Sequence, residues 1–200
     1  SIGISIYPES GEDLEELIKN SDIAMYEAKE IRGGSYKFYN KKLEKFYSNK
    51  IKLENDLKKA ISNNELFMIY QPQINLETEK LTGIEALIRW NHPEKGLISP
   101  NEFIPLAEET GLIVPMGKWI LRRVCKQNKS WQDRGFDPIR VAVNVSIRQL
   151  QEEGFVDFIK EVLAETKLAP EFLEIEITEN IMRNIGKKKK KLTKLKETGV

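Results

Sequence analysis

Apolar and polar positions divide this chain into a short tail, a polar helix and a longer α/β portion. Residues 1–7, SIGISIY, alternate apolar and small side chains and predict a strand, and PESGED after it is a turn. Leu14, Leu17, Ile18, Ile23, Met25, Tyr26 and Ala28 recur at helical spacing across 13–30, with a break expected near Asn20–Ser21. RGGS stops that helix and YKFYN predicts a second short strand. Such a strand–helix–strand tail cannot bury a core by itself. Residues 41–62 predict one polar helix whose apolar stripe is thinned to Leu43, Phe46, Ile51, Leu57 and Ile61, the pattern of a linker helix.

A different rhythm follows. LFMIYQPQINL and LTGIEALIRW predict two strands joined by the short polar turn ETEK, a hairpin. Pro100 opens a helix, PNEFIPLAEETG, that ends at Gly111 as C-cap. A longer helix is expected over 115–133, with Trp119, Ile120, Val124 and Trp131 inward. Then IRVAVNV predicts a strand, 153–166 a helix, FLEIEIT a strand and 180–198 a helix. Apolar strands alternating with helices imply parallel strands covered by helices. The units are too few to close a barrel, and no internal repeat is visible.

Composition changes this picture little. With 40% hydrophobic and 32% charged residues among 200, the chain can fill a core and is not of the disordered class. The formal charge of +1 gives no argument for binding a nucleic acid duplex. Cys125 is the only cysteine, so no internal disulfide forms. No apolar run approaches the roughly 18 residues of a membrane span. The chain opens on Ser1 and stops at KLKETGV, where a strand is expected to begin, so a fragment cut at both ends is expected.

Candidate chemistry lies in the polar residues inside strands, where side chains alternate between faces. Glu85, Leu87 and Arg89 share one face, Asn144 lies opposite Val143 and Val145, and Glu174, Glu176 and Thr178 lie opposite Leu173, Ile175 and Ile177. Three strands thus carry a polar group toward their C-terminal ends, where (β/α) folds build active sites. Two carboxylates and an amide oxygen make a hard, all-oxygen set suited to Mg²⁺ or Mn²⁺; one His and one Cys in the whole chain argue against zinc. A second reading of the same spacing makes Glu85 and Arg89 a simple ion pair and Glu174 structural.

The motifs YQPQI, EALIRW, NHPEKGLISPNEFIPLAEETGLI, NVS and EIEITEN, in that order over residues 53–200, resemble the N-terminal portion of an EAL domain. That resemblance implies an incomplete (β/α) TIM-like barrel and a phosphodiesterase that linearises the bacterial second messenger cyclic di-GMP to pGpG with Mg²⁺ or Mn²⁺. It carries metal ligation to Glu85, Asn144 and Glu176, substrate binding to Gln71 and Arg89, and the anchoring of a metal-site loop to Glu179. The rest of the family's site, an aspartate pair and a lysine among it, is expected after Val200, so the 200 residues alone are expected to be inactive and marginally folded. Residues 1–40, with SIGISIYP and SDIAMYEAK, resemble the C-terminal end of a GGDEF (diguanylate cyclase) domain. Lys29 matches a phosphate-contacting lysine of that family, whereas RGGS replaces its usual Gly-Arg-Asn. Residues 41–52 are then the linker helix. The resemblance further implies a homodimer formed through the EAL domain, a cytoplasmic location, and a membrane anchor only through segments upstream.

His92 in NHPEKG is read as shaping its loop rather than as a general base, and Phe103, Ile104, Leu106 and Ile113 as core rather than as flanking a guanine base. The lysine run at Lys187–Lys191 is read as the solvated face of a helix with Ile181, Ile185, Leu192 and Leu195 inward, against the alternative of an anion-binding patch. The competing function is a catalytically inactive EAL module that binds cyclic di-GMP or a protein partner.

Overall fold

The structure is a computed structural model and describes residues 1–30, 34–177 and 189–200. Residues 1–56 and 57–200 form two compact units.

In the first unit, β1 (Ile2–Ile4) and β2 (Tyr36–Phe38) pair in parallel, with α1 (Leu14–Glu30) lying between them in the chain. The first strand is three residues long where seven were expected, because its partner offers only Tyr36–Phe38 to pair with. The expected break at Asn20–Ser21 does not form: α1 is continuous. Asn20 Nδ2 donates to the Ser10 carbonyl at 2.7 Å and Ser21 Oγ to the Ile18 carbonyl at 2.8 Å, so both polar side chains find acceptors without disturbing the helix. Ile2, Tyr36 and Phe38 remain exposed. The polar helix α2 (Lys41–Ala60) follows.

The second unit is built on β3 (Leu66–Ile74), β4 (Leu81–His92), β5 (Gly96–Ile98), β6 (Val141–Asn144) and β7 (Leu173–Glu176). The sheet order is β3-β4-β6-β7, with β5 paired to the far end of β4. The expected hairpin is present: β3 and β4 are antiparallel, with Gln71 opposite Glu85 and Gln73 opposite Gly83. β4, β6 and β7 are parallel, as the strand–helix alternation implied. The helices are α3 (Pro100–Thr110), α4 (Ile113–Asp133), α5 (Ile147–Gln151), α6 (Phe155–Thr166) and α7 (Lys189–Glu197). This is a partial (β/α) barrel, and β4 shows its two faces clearly. Ala86, Ile88, Trp90 and His92 are buried, while Glu85, Leu87 and Arg89 on the other face are half-buried. The buried face packs on helices: Trp90 meets Phe103 of α3 edge-on with centroids 5.6 Å apart, and Tyr70 meets Trp131 of α4 at 4.8 Å. Met116, Ile120, Val124, Ile159 and Val162 complete this core.

β5 and α5 were not expected from the sequence. α5 starts at Ser146, whose hydroxyl accepts from the Gln149 amide while the Gln149 side chain accepts from the Ser146 amide, a reciprocal capping box. The described part of the last helix starts at Lys189; Ile181, Ile185, Lys187 and Lys188 lie outside the described residues. Lys191 is not merely solvated: its Nζ donates to the carbonyls of Gln151 and Glu152 at 2.7 and 2.8 Å, closing the C-terminal end of α5. No helix among the described residues is long and apolar enough to cross a membrane.

Candidate active site

The half-buried face of the sheet carries the polar residues. Glu85 in β4 and Glu174 in β7 are both register partners of Ala142 in β6, and Asn144 is the partner of Glu176. In parallel ladders such partners point to one face, so Glu85, Asn144, Glu174 and Glu176 face the same side of the sheet. Asn144 Nδ2 donates to Glu85 Oε1 at 2.7 Å across 59 residues of chain. Glu85 and Arg89 form no ion pair; the Arg89 Nη1 donates instead to the Ile88 carbonyl at 2.8 Å. Glu174 pairs with Arg140, Nε–Oε2 at 3.0 Å.

Glu176 shows the electrostatic state of this face. Partial burial, then the charges of Glu85 and Glu174, raise its carboxyl from the ordinary value, and a hydrogen bond with the Gln73 side chain offsets part of the rise. Gln73 was missed by the sequence reading, although its spacing of two from Gln71 puts both on one face of β3. Its partner Gly83 explains how it fits: a Cβ there would stand 2.8 Å from Gln73 Oε1.

The carboxylates of Glu85 and Glu176 and the amide oxygen that Asn144 keeps free in its bond to Glu85 are donors of the kind a hard divalent cation takes. Burial and then the repulsion of Glu85 and Glu174 raise Glu176, and a dication would relieve that repulsion. Among the described residues no three or more His, Cys, Asp or Glu side chains gather around a metal position. The candidate set is Glu85, Asn144 and Glu176. Gln71 is exposed beside Glu85, Arg89 is half-buried farther along β4, and Glu179 lies outside the described residues. A cavity of about 250 Å³ sits on the helix-facing side of the sheet, lined by Met68, Ile88, Ile104 and Ile120 and bounded by the turn from Asn144 to Ser146. His92 shapes its turn, its Nδ1 accepting from the Glu94 and Lys95 amides at 3.1 Å each.

The partial (β/α) fold agrees with the comparisons to known proteins. Residues 54–200 match the family model described as EAL domain, and residues 1–35 match Diguanylate cyclase, GGDEF domain. The chain belongs to the EAL family, with a GGDEF segment ahead of the EAL part. It is 43% identical over its whole length to the signaling protein YkoW of Bacillus subtilis (strain 168), of which it covers 25%. Over 91% of its length it is 39% identical to the cyclic di-GMP phosphodiesterase PdeR of Escherichia coli (strain K12), covering 27% of that protein. A solved structure of the phosphodiesterase PaMucR in complex with c-di-GMP superposes with a TM-score of 0.71 at 39% identity, over 74% of this chain and 61% of that one. The chain spans about a quarter of the length of the curated relatives it matches.

Proposed function

We propose that residues 53–200 supply part of the catalytic centre of a metal-dependent phosphodiesterase that hydrolyses cyclic di-GMP to pGpG. In the same proposal residues 1–40 are the end of a diguanylate cyclase domain and residues 41–52 the linker helix. The observation that carries it is the shared face of Glu85, Asn144 and Glu176, with Asn144 bonded to Glu85 at 2.7 Å. The likeness to PdeR and to the c-di-GMP complex of PaMucR supports the choice of substrate.

Glu85, Asn144 and Glu176 would hold Mg²⁺ or Mn²⁺ through oxygen. Such a cation supplies a water of lowered pKa and offsets the charge of the phosphodiester. Arg89, four residues beyond Glu85 on the same face, binds a phosphate oxygen. Gln71, beside Glu85, orients the nucleotide through its amide, and Gln73 steadies Glu176. By the family resemblance Glu179 would anchor a metal-site loop.

Glu85→Gln in the full-length protein tests the assignment. The expected result is a loss of Mn²⁺-dependent pGpG formation of more than about 100-fold, beyond what second-sphere changes cost, with an unchanged circular dichroism spectrum. Turnover at the wild-type rate in micromolar Mn²⁺ refutes it. A wild-type protein that binds cyclic di-GMP in the presence of Mn²⁺ and releases no pGpG refutes the enzyme and leaves the inactive binding module.

A further inference from the structure

We infer that Gln149 and Gly117 form a lock between α5 and α4 that sets the aim of Asn144. Its consequence for a cation rests on Asn144 being a ligand, as proposed above.

Gly117 lies inside α4 at an ordinary helical position, where a glycine is less favourable than alanine by roughly 0.5–1 kcal/mol. No backbone reason asks for glycine there, so the missing side chain serves a neighbour. That neighbour is Gln149: a Cβ on Gly117 would stand 1.7 Å from its Nε2 and 2.6 Å from its Cδ. The Gln149 side chain cannot simply swing aside. It is only 5% exposed, and its Oε1 accepts from the Ser146 amide at 3.0 Å, one half of the capping box that starts α5.

Ser146 is two residues beyond Asn144, and the residue between them is fixed as well: the Val145 amide donates to the Glu176 carbonyl at 2.9 Å. Arg148 fastens the same short helix to the end of α3, its Nη1 donating to the Glu108 and Glu109 carbonyls at 2.6 and 3.1 Å. The chain leaving Asn144 thus has no slack. Displacing the Gln149 amide breaks its bond to Ser146, frees the first turn of α5 and lets the Asn144 side chain leave Glu85. Gln149 and Gly117 touch no reacting group; they are positioning residues that act through Ser146.

The test is Mn²⁺ affinity of the full-length protein, read by electron paramagnetic resonance with Mn²⁺ alone, alongside thermal melting. Gly117→Ala and Gln149→Leu are expected to weaken binding about 10–100-fold, the usual cost of disturbing groups that orient a ligand. Gln149→Glu, which restores the acceptor of the capping box, is expected to stay within about threefold of wild type. Melting separates packing from aim: Gln149→Leu keeps the volume of the side chain and so reports if Gly117→Ala fails to fold. Asn144→Ala is the control. If it loses Mn²⁺ affinity while Gly117→Ala and Gln149→Leu bind as wild type, or if Gln149→Glu falls as far as Gln149→Leu, the lock is refuted. If Asn144→Ala binds Mn²⁺ as wild type, the ligand reading fails instead.

Discussion

Asn128 of α4 offers a sharp test of how the candidate site is held. Its side chain is buried, and its Nδ2 donates to the carbonyls of Ile139 and Phe172 at 2.9 and 3.1 Å. Those residues lead into β6 and β7, the strands that carry Asn144 and Glu176. One amide therefore sets the starting level of both strands. Asn128→Ala removes two hydrogen bonds worth about 1 kcal/mol each and leaves two partly buried carbonyls short of a donor, so a loss of roughly 2–3 kcal/mol is expected. With a urea slope of about 2 kcal/mol/M, the midpoint should fall by roughly 1–1.5 M at unchanged slope. Asn128→Asp should lose at least as much at neutral pH, because a carboxylate then faces the two carbonyls. Its carboxyl would be raised in the folded protein, so stability is present below the unfolded carboxylate value near 3.9 and lost as pH rises. The assay is tryptophan fluorescence in urea. All three tryptophans, Trp90, Trp119 and Trp131, lie within residues 57–200, so the signal reports that unit alone. A loss under about 0.5 kcal/mol for both variants would refute the clamp.

Three further outcomes are expected. Burial pushes the Cys125 thiol from 9.0 to about 12, so it should resist thiol reagents at pH 8 until the unit unfolds. The sign is that of a raised pKa: stability is intact below about 9 and is lost toward pH 12, and Cys125→Ala should flatten that alkaline decline in a pH series of urea melts. Arg122 bonds Glu161 at 2.6 Å and Glu165 at 3.2 Å and lies 4.9 Å from the Phe158 ring centroid, so Arg122→Ala should cost about 1 kcal/mol in the same urea assay, less at high salt; a loss independent of salt contradicts the ion pairs. Gly83→Ala should displace the Gln73 amide and raise the Glu176 carboxyl further, measurable by carbon NMR of the carboxylates; an unmoved Glu176 titration contradicts the Gln73 bond.

Alternation alone exposed most of the sheet. The strand carrying Glu85 and Arg89 declared its two faces because a polar residue inside an apolar run must have a partner, and the strands with Asn144 and Glu176 repeated the signal. What stayed hidden has physical causes. α5 is five residues long, too short for a helical hydrophobic period, and its only signal was the Ser146-to-Gln149 spacing of a capping box. β5 pairs with β4 over three residues that look like loop. The break forecast at Asn20–Ser21 came from local polarity, which tertiary partners override. Gln73 could not be distinguished from a solvent-facing residue, since its partner Glu176 is distant in sequence and the space it uses comes from an absent side chain at Gly83.

The bond between Asn144 and Glu85 joins residues 59 apart, while the hairpin pair Gln71 and Glu85 is closed over 14. By loop-closure entropy the longer contact costs about 1.3 kcal/mol more to form. Local pairing of β3 with β4 is thus free to come first, with Glu85 in place but its polar neighbours absent, and the docking of β6 and then β7 comes later. The polar face of the candidate site is therefore expected to assemble late in folding. The same logarithm makes the exposed loops between its elements tolerant: doubling the length of one adds only about 0.6 kcal/mol, so such loops can lengthen while α4, which carries Gly117 and Asn128, still holds Asn144 and Glu176 in place.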